Sequence, residues 1–195
     1  VSGGTGSGKT SFLNALGEFI PSDERVITIE DSAELQLKKV ANLVRLEARS
    51  ANLEGKNEIS IRDLLKSSLR MRPDRIVVGE CRGAEALEML QAFNTGHDGS
   101  MSTGHSNSCK DMLSRLETMV LMGAEIPLPA IRQQIAAGID IIVQLGRLRD
   151  KSRKLLEISE VDGIVDNQIV LNTLYRFKEV DEENGRIVGE WEKVG

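Results

Sequence analysis

Residues 3–10 read Gly-Gly-Thr-Gly-Ser-Gly-Lys-Thr and fit the pattern G-x-x-x-x-G-K-[ST]. The spacing has a physical reason. Glycines let successive backbone N–H groups turn inward and ring a phosphate. A helix that opens at Lys9 adds the positive end of its dipole. In such a loop Lys9 reaches the β and γ phosphates, and the Thr10 hydroxyl ligates Mg²⁺. The expected nucleotide-binding residues are Gly3, Gly4, Thr5, Gly6, Ser7, Gly8, Lys9, Thr10 and Ser11, with Thr10 also a metal ligand. A buried strand normally runs into this loop. Only Val1 and Ser2 stand before it, so an N-terminal part that includes most of the first strand is expected to be missing from this sequence.

Working outward, Phe12, Leu13, Leu16, Phe19 and Ile20 fall at helical spacing, and Pro21 stops the helix. Strands are expected at 26–30, 43–47, 75–79, 100–104 and 139–145. Between them lie helices: one capped by Ser60 with Asp63 and ending near Arg72-Pro73, one over 84–95, one capped by Asn107 or Ser108, and one introduced by Pro127 and Pro129. This alternation to about residue 145 predicts an α/β fold with a mostly parallel sheet. From 146 to 195 the texture changes. Strand-like runs at 155–161, 169–177 and 186–191 alternate with turn signals at Asp162-Gly163, Asp166-Asn167 and Asn184-Gly185, which predicts an antiparallel meander. The expected organisation is a core of residues 1–145 and a β-rich appendage of the same domain, 146–195.

Composition narrows the function classes. The 195 residues carry 25 Lys and Arg against 30 Asp and Glu, a net charge of −5, which argues against a general nucleic-acid coat. Aromatics are 3%, too few for a platform that stacks single strands. No apolar run approaches the ~18 residues of a membrane span. Two cysteines, Cys81 and Cys109, make no disulfide framework.

Phosphate cleavage needs a carboxylate near the metal-binding Thr, at the end of a neighbouring buried strand. Glu80 follows Ile76-Val77-Val78-Gly79, and Glu30, Asp31 and Glu34 follow the run 26–29. The plainer reading of each is a solvated carboxylate. The two histidines, His97 and His105, lack further ligands for zinc; they are polar turn residues, or they face the phosphates or relay between subunits.

Together the pieces GGTGSGKT, TIEDSAEL, LRMRPDRIVVGECRGAEALEMLQAFNTGHDGS, STGHSNS and LSRLETMVL resemble the type II/IV secretion ATPase superfamily, closest to its CpaF/TadA group of Tad (Flp) pilus assembly. The resemblance runs from residue 1 to about 160. It implies a RecA-like P-loop NTPase domain of a homo-hexameric motor that hydrolyses ATP with Mg²⁺. The family is cytoplasmic and docks on platform proteins at the inner membrane.

By position, Gly3 to Thr10 resembles the family's Walker A motif, Glu34 the water-orienting glutamate of its aspartate box, and Glu80 its atypical Walker B and metal-supporting carboxylate. His97 and His105 resemble its histidine box. Arg45, Arg49 and Arg62 lie between the two acidic motifs, and Arg49 is the candidate for reaching a neighbouring subunit's nucleotide. Gly104 and Cys81 stand where the family usually has apolar residues, bulky at the first. The rival readings are the ATPase of a type IV secretion channel, a non-hydrolysing nucleotide-gated assembly subunit, and a DNA-translocating motor. The carboxylates Glu34 and Glu80 count against the second, and the acidic balance counts against the third. The basic cluster Arg147, Arg149, Lys151, Arg153 and Lys154 is expected to be a solvated hairpin tip or a contact with an acidic partner or anionic lipid. Lacking its N-terminal part, the chain by itself is expected to be poorly stable, to bind ATP weakly and to form no active ring.

Overall fold

The computed structural model describes residues 1–195. In chain order the strands are β1 (Ser2–Gly3), β2 (Arg25–Glu30), β3 (Asn42–Glu47), β4 (Arg75–Val78), β5 (Met101–Ser102), β6 (Ile141–Arg147), β7 (Arg153–Val165), β8 (Gln168–Glu183) and β9 (Arg186–Lys193). The helices are α1 (Lys9–Gly17), α2 (Ile61–Ser68), α3 (Ala86–Phe93), α4 (Cys109–Gly123) and α5 (Leu128–Gly138). The chain divides into two compact units, one of Val1–Lys9, Gly104–Thr118 and Ile126–Gly195, the other of Thr10–Thr103 and Met119–Glu125.

The second unit holds a parallel sheet of order β3-β2-β4-β5. Val26, Ile27, Ile29, Ile76, Val77 and Val78 are fully buried. Burial on both faces is what a continuous β-branched run achieves in the middle of a parallel sheet. At ~1.5–3 kcal/mol per buried aliphatic side chain, β2 and β4 form the firmest part of this unit. Their C-terminal ends carry Glu30 and, two residues past β4, Glu80. The Ser60 hydroxyl accepts from the Asp63 N–H, and the Asp63 carboxylate accepts from the Ser60 N–H, so the expected capping box opens α2. That helix tightens into a 3₁₀ turn at Leu69–Met71 and stops at Arg72, which is left-handed with φ 52° ahead of Pro73.

The first unit is built on a sheet of order β1-β6-β7-β8-β9, parallel between β1 and β6 and antiparallel beyond. Gly104 also pairs with this β1: its N–H donates to the Val1 carbonyl at 3.0 Å, and the Gly3 N–H donates to its carbonyl at 3.2 Å. Ser108, not Asn107, caps α4, its hydroxyl accepting from the Asp111 N–H at 3.0 Å. Cys109 is buried, and desolvation, reinforced by the nearby Glu157 carboxylate, pushes its thiol up to about 12.

Three local expectations are corrected by packing. α1 ends at Gly17 rather than near Ile20, because the next N–H groups of Glu18, Phe19 and Ile20 bond three residues back, which turns Phe19 out to solvent. Asp162-Gly163 is not a turn: β7 runs through it as a bulge between Val161 and Ile164, with Gly163 at φ 93°. The meander is therefore made of longer strands than the runs suggested. Asp166-Asn167 and Asn184-Gly185 are its tight turns, all four residues at positive φ, as two-residue hairpins require.

Candidate functional site

The phosphate loop follows β1 directly. Gly6 and Gly8 sit at φ 72° and 100°, a left-handed backbone that glycine adopts without strain. The Ser7 N–H donates to the Gly4 carbonyl at 3.3 Å, closing the turn. Lys9 opens α1, and its buried ammonium donates to the Gly3 and Gly4 carbonyls at 2.9 and 3.1 Å. The Ser7 hydroxyl is 3% exposed and has no hydrogen-bond partner. An orphaned buried hydroxyl in a glycine-rich loop at the start of a helix suits a polar, oxygen-rich ligand such as a phosphate. Gly4, Thr5, Gly6 and Ser11 are exposed.

In the second unit, the Thr10 hydroxyl donates to the Glu34 carboxylate at 3.4 Å. Glu34 lies in the segment after β2, exposed, and its placement is not left to that loop alone. The Glu30 carboxylate, 5% exposed, accepts from the Glu34 and Leu35 N–H groups, both at 2.9 Å. A hydroxyl with a carboxylate beside it suits a hydrated divalent cation of the Mg²⁺ type, which takes few protein ligands and keeps phosphate oxygens and water as the rest; the Thr10 hydroxyl would be the direct ligand and the Glu34 carboxylate would meet its water. Half-buried Glu80 follows β4, whose end is pinned by the Thr103 hydroxyl on the Gly79 carbonyl (2.6 Å) and by the Cys81 N–H on the Thr103 carbonyl (2.8 Å). Cys81 is buried, as a small hydrophobe. Arg82, next along, is ion-paired with Asp31.

His97 and His105 fall in different units, His97 in the second and His105 in the first. The His97 Nδ1 lies 2.8 Å from the Ala92 carbonyl at the end of α3, which ties the ring to a helix terminus. His105 is half-buried just beyond the paired Gly104. Arg49 lines a cleft of about 350 Å³ in the second unit, together with Arg62, Arg82, Asp31, Glu58 and Glu85. Its Nε donates to the Asn57 carbonyl at 2.9 Å, and Arg62 is fixed by the buried Glu88 at 2.5 Å. Arg45 lies on β3, outside this cleft.

The sequence reading missed Arg153. Its Nε donates to the Gly6 carbonyl at 2.9 Å, at the tip of the phosphate loop, and its Cδ lies 3.5 Å from where a Cβ on Gly8 would stand. The basic cluster held the signal, but not the partner. It is not a freely solvated tip: Arg149 bonds Glu179 and Glu182, and the Lys154 ammonium lies 5.7 Å from the centroid of the Phe177 ring. Asp150 accepts from the Ile187 N–H and from Ser152, which holds its carboxyl down at about 2.

The conjugal transfer protein TrbB of Rhizobium radiobacter is 37% identical over 170 residues, 86% of this chain and 49% of TrbB. The VirB11 ATPase of the Brucella suis type IV secretion system superposes with a TM-score of 0.73 at 35% identity, over 82% of this chain and 46% of that one. The pilus retraction motor PilT superposes with a TM-score of 0.55 at 26% identity, over 88% and 44%. These matches bear out the α/β fold, which is consistent with a RecA-like domain. The chain spans about half the length of the curated relatives it matches. Residues 1–188 match the family described as type II/IV secretion system protein, and the chain belongs to that family.

Proposed function

We propose that this chain is the nucleotide-hydrolysing part of an ATP-driven ring motor that powers pilus assembly or secretion across a bacterial envelope. The observation that carries the reading is the bond from the Thr10 hydroxyl, the last residue of a complete phosphate-loop motif, to the Glu34 carboxylate. In this reading residues 1–145 are the RecA-like core and 146–195 its appendage. Gly3 to Ser11 bind ATP, and Lys9 neutralises the β and γ phosphates. Bound Mg²⁺ supplies charge neutralisation at the phosphates; Thr10 and Glu80 are the residues that would hold it, Thr10 directly. Glu34 orients the attacking water. His97 and His105 act at the phosphates or between subunits. Arg49, with Arg62 and Arg82 in one cleft, faces the nucleotide of the neighbouring copy in a homo-hexamer. The ring works in the cytoplasm, on platform proteins at the inner membrane. No helix is long and apolar enough to cross a membrane.

The Tad pilus group is our reading of the motifs GHDG and LETMVL. The ATPase of a type IV secretion channel is the second reading, and the likeness to the Brucella suis VirB11 ATPase favours it. The test is to measure phosphate release by the purified full-length protein as Mg²⁺ is titrated, with sedimentation to read ring size. Mg²⁺-dependent turnover by a hexamer is expected; an inactive protein, or one active only as a monomer, would overturn the motor reading.

Arg153 adds a prediction. Its hydrogen bond to the Gly6 carbonyl steadies the loop tip and polarises the Gly6–Ser7 peptide, whose N–H closes the turn onto the Gly4 carbonyl. Arg153→Ala is expected to weaken ATP binding about 5-fold, because an exposed charge-assisted bond is worth about 1 kcal/mol. Lysine should not rescue it, since it lacks a fixed Nε donor. Titration with a fluorescent ATP analogue reads both.

A further inference from the structure

We propose that Glu30 is a positioning residue for Glu34, and that Gly79 is a glycine because the Glu30 side chain occupies the space beside it. The proposal rests on the reading of Glu34 as the water-orienting carboxylate.

Four observations within one unit converge. Glu30 is the last residue of β2, in the ladder opposite Glu47, with its carbonyl taken by the Ala48 N–H at 2.8 Å. Its backbone is thus fixed by the sheet. Its side chain is buried, an uncommon place for a carboxylate that lacks a task. Its Oε1 accepts two backbone N–H groups, those of Glu34 and Leu35, each at 2.9 Å. Leu35 is buried, so the segment is held by one apolar anchor and one charged clamp, with Glu34 between solvent and both. The exposed Glu34 side chain then meets the Thr10 hydroxyl from a backbone held at two successive N–H groups.

Gly79 completes the device. Its N–H is bonded to the Ile29 carbonyl at 2.8 Å, and its φ is not in the left-handed region that favours glycine. What forbids a larger residue is space. A Cβ there would stand 2.8 Å from Glu30 Cγ and 3.4 Å from Oε1. Admitting it requires the Glu30 side chain to shift, which pulls its carboxylate from the two N–H groups. Glu80 is the next residue, so the same glycine that seats the clamp immediately precedes the candidate metal-supporting carboxylate.

The experiment is a double-mutant cycle in the full-length protein, with kcat, ATP affinity and amide exchange measured on each variant. Glu30→Ala is expected to lower kcat about 10- to 100-fold, the scale of a reacting group displaced by about 1 Å, with ATP affinity within about 3-fold of the parent. Exchange of the Glu34 and Leu35 amides should accelerate, a readout that does not pass through activity. Glu30→Gln, which keeps an Oε1 acceptor and the volume, should recover most of the loss. Gly79→Ala should lower kcat like Glu30→Ala, and should add little in the Glu30→Ala background, where the clashing atoms are gone.

If Glu30→Ala does not fold, Glu30→Gln and Gly79→Ala alone decide. A Gly79→Ala variant with parental kcat and parental amide exchange, or full additivity of the two alanines, would overturn the proposal. So would a folded Glu30→Ala with parental kcat while Glu34→Gln is inactive, which leaves the reading of Glu34 standing. Parental turnover in Glu34→Gln would overturn both.

Discussion

Lys9→Ala is expected to abolish ATP hydrolysis by the full-length protein. The Lys9 ammonium is buried at the start of α1 and is already within 2.9–3.1 Å of two loop carbonyls, so its charge sits on the loop without a search. Phosphoryl transfer leaves little covalent chemistry to the protein; positioning and charge neutralisation carry it. Losing a single neutral donor aimed at developing charge costs about 10²–10³ in rate, and losing a full buried charge costs more. The substitution also leaves the Gly3 and Gly4 carbonyls without this donor, so the loop itself loosens. Phosphate release should therefore fall below detection, and binding of a fluorescent ATP analogue should weaken as well. Unchanged turnover in a purified Lys9→Ala ring would overturn the assignment of the loop.

The second large effect separates the two carboxylates. Glu34→Gln should keep ATP binding while turnover drops about 10²-fold or more, because an amide cannot take a proton from the attacking water. The geometry leaves room for this division: Glu34 meets the Thr10 hydroxyl, and the substitution preserves an acceptor there. Glu80→Gln should instead raise the Mg²⁺ concentration needed for half-maximal rate, with a rate loss that added Mg²⁺ partly restores. A Mg²⁺ titration of both variants distinguishes the roles. Small and equal effects would mean that the two are misassigned.

The β-rich end links these effects to the rest of the chain. Arg153 opens β7, beside a turn tied down by Asp150 to Ser152 and to the Ile187 N–H of β9. The phosphate-loop tip thus rests on a hairpin that the meander holds in place. That gives residues past 146 a mechanical reason to belong with the loop, beyond their contribution to folding.

The sequence by itself determined the phosphate loop, the alternation of strands and helices, the capping box at Ser60 and two of the three meander turns. Each is a local signal. The glycines needed at Gly6 and Gly8, the β-branched runs of β2 and β4, and the paired positive φ of Asn184-Gly185 act within a few residues of chain. The tertiary structure decided the rest. The Arg153 bond to Gly6 closes across 147 residues, and no spacing rule connects a basic hairpin to a loop that far away. Glu30 reads in the sequence as one acid among several; only the register of β2 against β4, with Gly79 bonded to Ile29, shows that its carboxylate is turned inward onto the Glu34 backbone. Asp162-Gly163 carries a turn signature, yet pairing of β7 with β8 on both sides makes it a bulge. In each case the local preference is worth about 1 kcal/mol or less, and a ladder of cross-strand bonds and buried contacts outweighs it.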